Sequence, residues 1–168
     1  MATATFAVPA ADVWAYRLNF ANLPEYNPDV TDVERIADGA AEGVGGVCGV
    51  GARYRFQLAD SRHPGRSHPV ELWTVDVVEP TLVVAGMLGG NEAYEEFAVT
   101  PLDDGGCHAT LTLWVTLPDG LSADVLAGVA AGGLAQIDKE LVLMKEVLES
   151  PSPSDPGDPG DPGDPSVH

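Results

Sequence analysis

Two carboxylates, Glu71 and Glu95, are the side chains of this sequence best suited to chemistry, because strand alternation places both among apolar residues. A carboxylate that faces an apolar interior is partly desolvated. Its pKa therefore rises, which suits proton transfer or a hydrogen bond to a ligand hydroxyl. Glu95 lies in mid-strand and is the candidate catalytic acid or base. A solvated position at the sheet rim is the alternative for Glu71, and for Glu95 both interpretations stay open.

These two carboxylates do not form a catalytic pair. Four residue steps of about 3.4 Å along the strands and two strand spacings of about 4.8 Å separate their backbones by roughly 17 Å. Paired-carboxylate catalysis of the glycosidase type is therefore disfavoured.

The spacing of the histidines and cysteines matches no known site signature. His63 and His68 flank "PGRS" with a spacing that fits no zinc signature, and Cys48 and Cys107 lack CxxC spacing. We expect free thiols, although a disulfide stays open. The sequence has no GxSxG and no P-loop, and "GVGGVCGVG" precedes a strand rather than a helix. No metal and no cofactor are expected.

Composition limits the partners. The chain has 168 residues, 45% of them hydrophobic, and a net charge of -18 from 26 acidic and 8 basic residues. Without a Lys/Arg cluster, nucleic acid and anionic membrane surfaces are unlikely partners. The start, "MATATFAVPAADVW", has no basic region followed by a long apolar run, and no segment is apolar enough to span a bilayer. We expect a cytoplasmic protein that does not insert into membranes.

The positions of the carboxylates depend on the strands around them. "TATFAV" alternates as a strand does, Pro9 and Asp12 favour a helix start, and the prolines of "ANLPEYNPDV" predict short turns before a strand at "TDVERIAD". Five more strands follow: "ARYRFQLA", "PVELWTVDVV", "TLVVAGML", "EAYEEFAVT" and "HATLTLWVTL".

An antiparallel meander aligns these five strands in register. We predict Tyr54 opposite Trp73, Trp73 opposite Met87, and Glu95 between Ala85 and Leu113. One face of the sheet is then apolar and the other polar. The predicted apolar face comprises Tyr54, Phe56, Leu58, Trp73, Val75, Val77, Val83, Ala85, Met87, Phe97, Val99, Ala109, Leu111, Leu113 and Val115.

A long amphipathic helix over residues 121–148 can cover that face. Its glycines, Gly128, Gly132 and Gly133, each cost about 1 kcal/mol relative to alanine in a helix interior, so they indicate a kink or a space beside the helix. Small residues on the sheet, Ala85 and Ala93, favour a space. The helical stripe is Leu126, Ala130, Leu134, Ile137, Leu141, Met144 and Leu148.

Four segments carry a resemblance to a known family: "VPAADVWAY", "NLPEYNPDVTDVE", "GARYRF" and "LVLMKEVLE". Over roughly residues 3–149 the chain resembles the START-like SRPBCC superfamily, in its polyketide cyclase/dehydrase branch. The resemblance implies an α+β helix-grip fold, with a curved antiparallel sheet of about six to seven strands around a long C-terminal helix and two short helices after the first strand. It implies a cavity for hydrophobic ligands, closed at one end by "ANLPEYNPDV".

Residues 1–149 are thus predicted to form one ligand-binding domain, and the Asp/Pro/Gly-rich residues 150–168 a disordered tail. For single aromatic residues of the proposed pocket, ordinary core packing is the alternative. The candidate ligand-binding residues are Tyr26, Tyr54, Phe56, Glu71, Trp73, Ala85, Met87, Glu95, Phe97, Leu113, Ala130 and Leu134.

Three functions fit the sequence. The first is a carrier of a hydrophobic small molecule, the second a cyclase or dehydratase in which Glu95 moves a proton, and the third a co-chaperone-like interaction module with a filled cavity. The inner face offers few polar groups, which favours binding over catalysis. Trp114 lies on the polar face, where either a homodimer contact or a wrong register would explain it.

Overall fold

Seven strands form one antiparallel sheet, as the alternation predicts. The computed structural model describes residues 1–40, 49–60, 63–78, 80–88 and 91–150, and no side-chain description is given for residues 87–88. The strands are β1 (Ala2–Phe6), β2 (Val30–Ala37), β3 (Arg53–Ala59), β4 (Ser67–Val78), β5 (Thr81–Leu88), β6 (Asn91–Pro101) and β7 (Cys107–Val115). Their spatial order is β1-β7-β6-β5-β4-β3-β2, so the first two strands lie at opposite edges.

The chain between those two edges is helical. Helix α1 (Ala10–Leu18) begins after Pro9, whose φ of -57° suits a helix start, and Asp12 lies in its first turn. A 3-10 turn (Phe20–Asn22) and the short helix α2 (Leu23–Tyr26) follow. The predicted short helices after the first strand are thereby confirmed, and they carry the chain from one edge of the sheet to the other.

The C-terminal helix α3 (Ala123–Glu149) has two dissimilar halves. Its second half packs against β1 and α2, and it buries Ile137, Leu141 and Met144. The first half lies largely exposed, and Leu126 and Leu134 are 43% and 48% accessible. Within the described residues, α3 and the other helices are too short or too polar to cross a membrane.

Two of the four predicted registers are wrong by one residue. Trp73 lies opposite Arg53 rather than opposite Tyr54, and Glu95 lies opposite Val84 rather than Ala85. The first shift moves Glu71 and Trp73 to the outer face, because side chains alternate along a strand. Val83 and Ala85 of β5, which were predicted on the inner face, share that outer face, since they pair with Asp76 and Trp73. The residues of β4 and β5 that face inward are Val70, Leu72, Thr74, Val77, Leu82, Val84 and Gly86.

The one-residue errors between β3 and β4 and between β5 and β6 together restore the predicted faces of β6 and β7. Glu95 lies opposite Leu113 and Phe97 opposite Leu111, as predicted, so the inner face of β6 and β7 is correct. Between β4 and β5 the predicted register is shifted by two residues, since Trp73 lies opposite Ala85 rather than Met87. A shift of two keeps the face, and a bulge between Thr74 and Asp76 then changes the register. That bulge returns Val77 to the inner face.

The sequence left alternatives open for Trp114 and Cys107, and the structure describes both residues. Trp114 lies opposite Tyr94 in the predicted register and is 49% exposed, so a wrong register does not explain it and a homodimer contact stays a prediction. Cys107 is a buried free cysteine, and burial raises the pKa of its thiol, which makes the reactive thiolate less available. Cys48 and residues 151–168 lie outside the described residues.

The two halves of α3 should respond differently to the same substitution. We expect Leu141→Ala to lower the free energy of unfolding by about 2–5 kcal/mol, because Leu141 is 1% exposed and its removal leaves a cavity. Leu134→Ala, on the exposed half, should change it by less than about 0.5 kcal/mol. Urea denaturation of both variants measures the difference, and equal losses would show that the first half packs as tightly as the second.

Candidate functional site

An apolar cavity of about 300 Å³ lies between the inner face of the sheet and the helices. The 3-10 turn and α2 close one side, and α3 contributes Gln136 and Glu140 to the wall. This volume lies at the lower end of the range of about 300–1,000 Å³ that is usual for ligand pockets. Its apolar walls include Phe20, Leu23, Phe56, Leu58, Val70, Leu72, Val84, Ala93 and Leu113.

Small residues on two neighbouring strands keep the cavity open. Gly86 and Ala93 lie opposite each other on β5 and β6, and both line the cavity. A Cβ at Gly86 would lie 2.9 Å from the backbone oxygen of Glu71, so a larger residue would disturb the pairing with β4 as well as fill the space. By contrast, the helix glycines Gly128 and Gly132 are not part of the cavity wall, and added Cβ atoms there would meet nothing within 4 Å.

The buried guanidinium of Arg17 organises the polar part of the wall. Arg17 lies on the inner side of α1 and is 2% exposed. Its Nη1 donates to the hydroxyl of Tyr26, and its Nη2 donates to Oε1 of Glu95, with which it forms an ion pair. The pairing compensates much of the cost of burying a charge and joins α1, α2 and β6.

Three aromatic rings surround the same guanidinium. The Cζ atom of Arg17 lies 5.8 Å from the ring centre of Phe20, 5.1 Å from that of Tyr26 and 5.6 Å from that of Phe97. A cation within about 6 Å of an aromatic face is attracted by the ring quadrupole. The rings therefore hold the guanidinium in place without using the hydrogen-bonding atoms of the cavity wall.

A second buried carboxyl, Glu140 of α3, faces the cavity. Its Oε1 accepts hydrogen bonds from Nδ2 of Asn27 at 2.8 Å and from Nε2 of Gln136 at 3.1 Å. Burial raises the pKa of Glu140, against the opposing effects of the Arg17 and Lys139 charges and of the two amide hydrogen bonds. The neutral form of Glu140 is thus favoured more than that of a carboxyl in water.

Four of the candidate ligand-binding residues lie in the cavity wall: Phe56, Ala85, Glu95 and Leu113. Three more lie behind the wall and support it. Tyr26 accepts the hydrogen bond from Arg17, and the ring of Phe97 faces the same guanidinium. The ring of Tyr54 packs 4.6 Å from that of Phe20.

Four other candidates lie elsewhere. Glu71 is on the outer face, where Nη2 of Arg55 donates to its Oε1 at 2.6 Å, and Trp73 shares that face. Ala130 and Leu134 line a separate groove between α3 and β7. The shifted register explains the positions of Glu71 and Trp73. Ala130 and Leu134 lie on the first half of α3, which borders this groove and not the cavity. The side chain of Met87 lies outside the described residues.

Sequence reasoning missed Arg17 and Glu140, although both interrupt an apolar helical stripe. Arg17 follows Val13 by four positions on the buried side of α1, and Glu140 follows Ile137 by three positions on that of α3. A charged residue in such a stripe must be paired or neutral when buried. That pattern is the signal that could have identified both residues.

Comparisons with solved structures agree with this architecture. The chain is 18% identical to TTHA0849 from Thermus thermophilus, with a TM-score of 0.63 over 90% of this chain and 97% of that one. It is also 18% identical to a START superfamily protein from Mycobacterium smegmatis, with a TM-score of 0.63 over 88% and 96% of the chains. The di-domain ARO/CYC BexL of the BE-7585A biosynthetic pathway is 16% identical, with a TM-score of 0.65 over 88% of this chain and 45% of its own. These likenesses establish a helix-grip fold.

None of the curated proteins matches the sequence. The sequence model of one family, described as polyketide cyclase / dehydrase and lipid transport, matches residues 1–149, which span every strand and helix described above. The chain therefore belongs to the polyketide cyclase/dehydrase and lipid transport family.

Proposed function

We propose that the protein binds and carries a hydrophobic small molecule, of lipid or polyketide type, in the cavity between the sheet and α3. The observation that carries the proposal is an apolar cavity of about 300 Å³ whose wall includes Arg17, Glu95 and Glu140. Pockets for small molecules combine apolar walls with a few polar groups in this way, because the walls provide affinity and the polar groups fix orientation.

The polar groups support binding because contacts within the protein hold them in place. Arg17 is held by Tyr26, Glu95 and three rings, and Glu140 is held by two amides. A ligand that enters the cavity therefore meets fixed side chains, and little side-chain entropy is lost on binding. The apolar surface of the ligand then leaves water, which is the main source of affinity for such a molecule.

A cyclase or dehydratase that uses the same cavity is the second candidate. Two carboxyls, Glu95 and Glu140, line one apolar cavity, and this observation favours the second candidate. Different surroundings can separate the pKa values of two carboxyls, so that one donates a proton and the other accepts one. Glu95 is our candidate acid or base in that mechanism. Its ion pair with Arg17 argues for a positioning role instead, since the guanidinium competes with a substrate for the carboxylate.

The interaction-module hypothesis has weaker support. It requires a cavity filled by the protein's own side chains, whereas Gly86 and Ala93 leave this one open. The exposed apolar residues on the first half of α3 are the feature that would favour it. We therefore rank this function below carriage and catalysis.

Protein purified without detergent should carry its ligand. Native mass spectrometry is expected to show a discrete mass adduct that disappears on denaturation and is recovered in an organic extract. The extract identifies the chemical class, and incubation with the protein then tests for turnover. Bare protein that also fails to bind any apolar fluorescent dye would contradict the carrier function.

Filling the cavity should abolish binding without unfolding the protein. Ala93→Leu places three extra carbons in the wall beside Gly86, so we expect at least a tenfold loss of affinity for an apolar fluorescent dye. Ala98→Leu is the matched control, since Ala98 lies opposite Thr81 and Thr110 on the outer face of the same strand. Dye titration and thermal unfolding are measured for both variants. Equal affinities in both would place the dye site outside this cavity.

A further inference from the structure

The charged groups of the cavity wall leave no cation free for a ligand. Among the described residues, four charged side chains line the cavity: Arg17, Asp29, Glu95 and Glu140. Arg17 is paired with Glu95, and Asp29 lies 3.7 Å from the ammonium group of Lys139. The remaining charged residue, Glu140, has no cation within ion-pair distance in the part of the chain that is described. An anionic ligand would therefore find no unpaired cation in the described wall to compensate the loss of its hydration.

The hydrogen bonds of Glu140 leave one of its oxygens available. Asn27 and Gln136 both donate to Oε1, and no described residue donates to Oε2. Within the described chain, the fully enclosed polar side-chain atoms without a partner are Nε1 of Trp14 and Nε of Arg17. Oε2 is not among them, so it keeps some accessible surface, and Glu140 is a residue of the cavity wall.

The proton of a neutral Glu140 belongs on Oε2, because Oε1 already accepts two hydrogen bonds. The groups that face this carboxyl are Arg17 from α1, Asn27 after α2, and Gln136 and Lys139 from α3. Glu95 approaches the same region from β6 through its ion pair with Arg17. Burial is the largest of these effects and raises the pKa of Glu140, and no described cation lies within ion-pair distance, so the neutral form with its O–H donor is favoured more than it is in water.

We infer that Glu140 is a specificity-determining residue that donates a hydrogen bond from Oε2 to an acceptor oxygen of an uncharged apolar ligand, and that the cavity rejects the corresponding carboxylate. This inference rests on the proposed binding function and narrows it to a ligand class. The donor is fixed by two amides, so an acceptor oxygen on the ligand is bound in one place, while the apolar remainder lies against the walls of the sheet.

Three probes of equal chain length test the inference: methyl laurate, laurate and dodecane, each measured by displacement of a bound apolar dye from the full-length protein at neutral pH. The expected order of affinity is methyl laurate above dodecane, with laurate at least tenfold weaker than methyl laurate. Laurate binding as tightly as methyl laurate would overturn the inference and leave the carrier function intact. Failure of all three to displace dye would instead overturn the carrier function, and the inference with it.

Two variants assign the selectivity to Glu140. Glu140→Gln keeps an N–H donor, so it should retain the preference for methyl laurate over dodecane within about threefold. Glu140→Leu removes the donor, and the ratio between these two probes should then fall to about one. The ratio is taken within each variant, so a general loss of affinity does not affect it. An unchanged ratio in Glu140→Leu would overturn the inference.

The pH dependence provides a test that does not require the leucine variant to fold. The pKa of Glu140 is raised, so the carboxyl holds its proton below that pKa and loses it as the pH rises through it. Wild-type affinity for methyl laurate should therefore fall at least tenfold as the pH rises, while Glu140→Gln shows a flat profile. Identical profiles for the two proteins would overturn the inference.

Discussion

A charged group in an apolar interior is the constraint on which the rest of the structure depends. The guanidinium of Arg17 cannot lose its proton, so it must be paired wherever it is buried. Its hydrogen-bond partners come from two other elements: Tyr26 ends α2, and Glu95 lies in mid-strand on β6. Removal of any one partner leaves a charge exposed to a medium that solvates it poorly. The short helices are therefore tied to the sheet at a separation set by the lengths of these side chains.

That fixed separation explains why a cavity exists. A typical interior is packed to the density of an organic crystal, and space remains only where something prevents side chains from filling it. Here the ion pair fixes the position of α1 over the sheet, and Gly86 and Ala93 lack the side chains that would fill the gap. The same separation leaves room for the amides of Asn27 and Gln136 to meet Glu140. The cavity and its polar wall are therefore two consequences of one arrangement.

The sequence carries the fold more reliably than the site. Alternation gives the strands and the apolar helical stripe, but it does not fix the register between strands, and the registers of β3 with β4 and of β5 with β6 differ from the predicted ones by one residue. The slip between β3 and β4 moved Trp73 and Glu71 to the wrong face, and a second slip before β6 restored Glu95. The correct face of Glu95 thus followed from two one-residue errors, which together restore the predicted face. Agreement among the four registers on which face is apolar is therefore weak evidence, because two one-residue errors leave the assigned faces of the later strands unchanged.

The polar wall was hidden from sequence reasoning for a different reason. Arg17 and Glu140 lie on helices that are far apart in sequence, and each looks like a surface residue until its helical face is considered. Burial makes these groups differ from exposed charged residues, because each depends on its partners within the protein. Of the two carboxyls in the cavity wall, Glu95 is paired with the guanidinium of Arg17, and Glu140 is hydrogen-bonded to two amides. Two carboxyls in one cavity can therefore present opposite hydrogen-bonding character to a ligand, acceptor at Glu95 and donor at Glu140. An apolar molecule with one acceptor oxygen matches the second carboxyl and needs nothing from the first, whose role is to hold the helices in place.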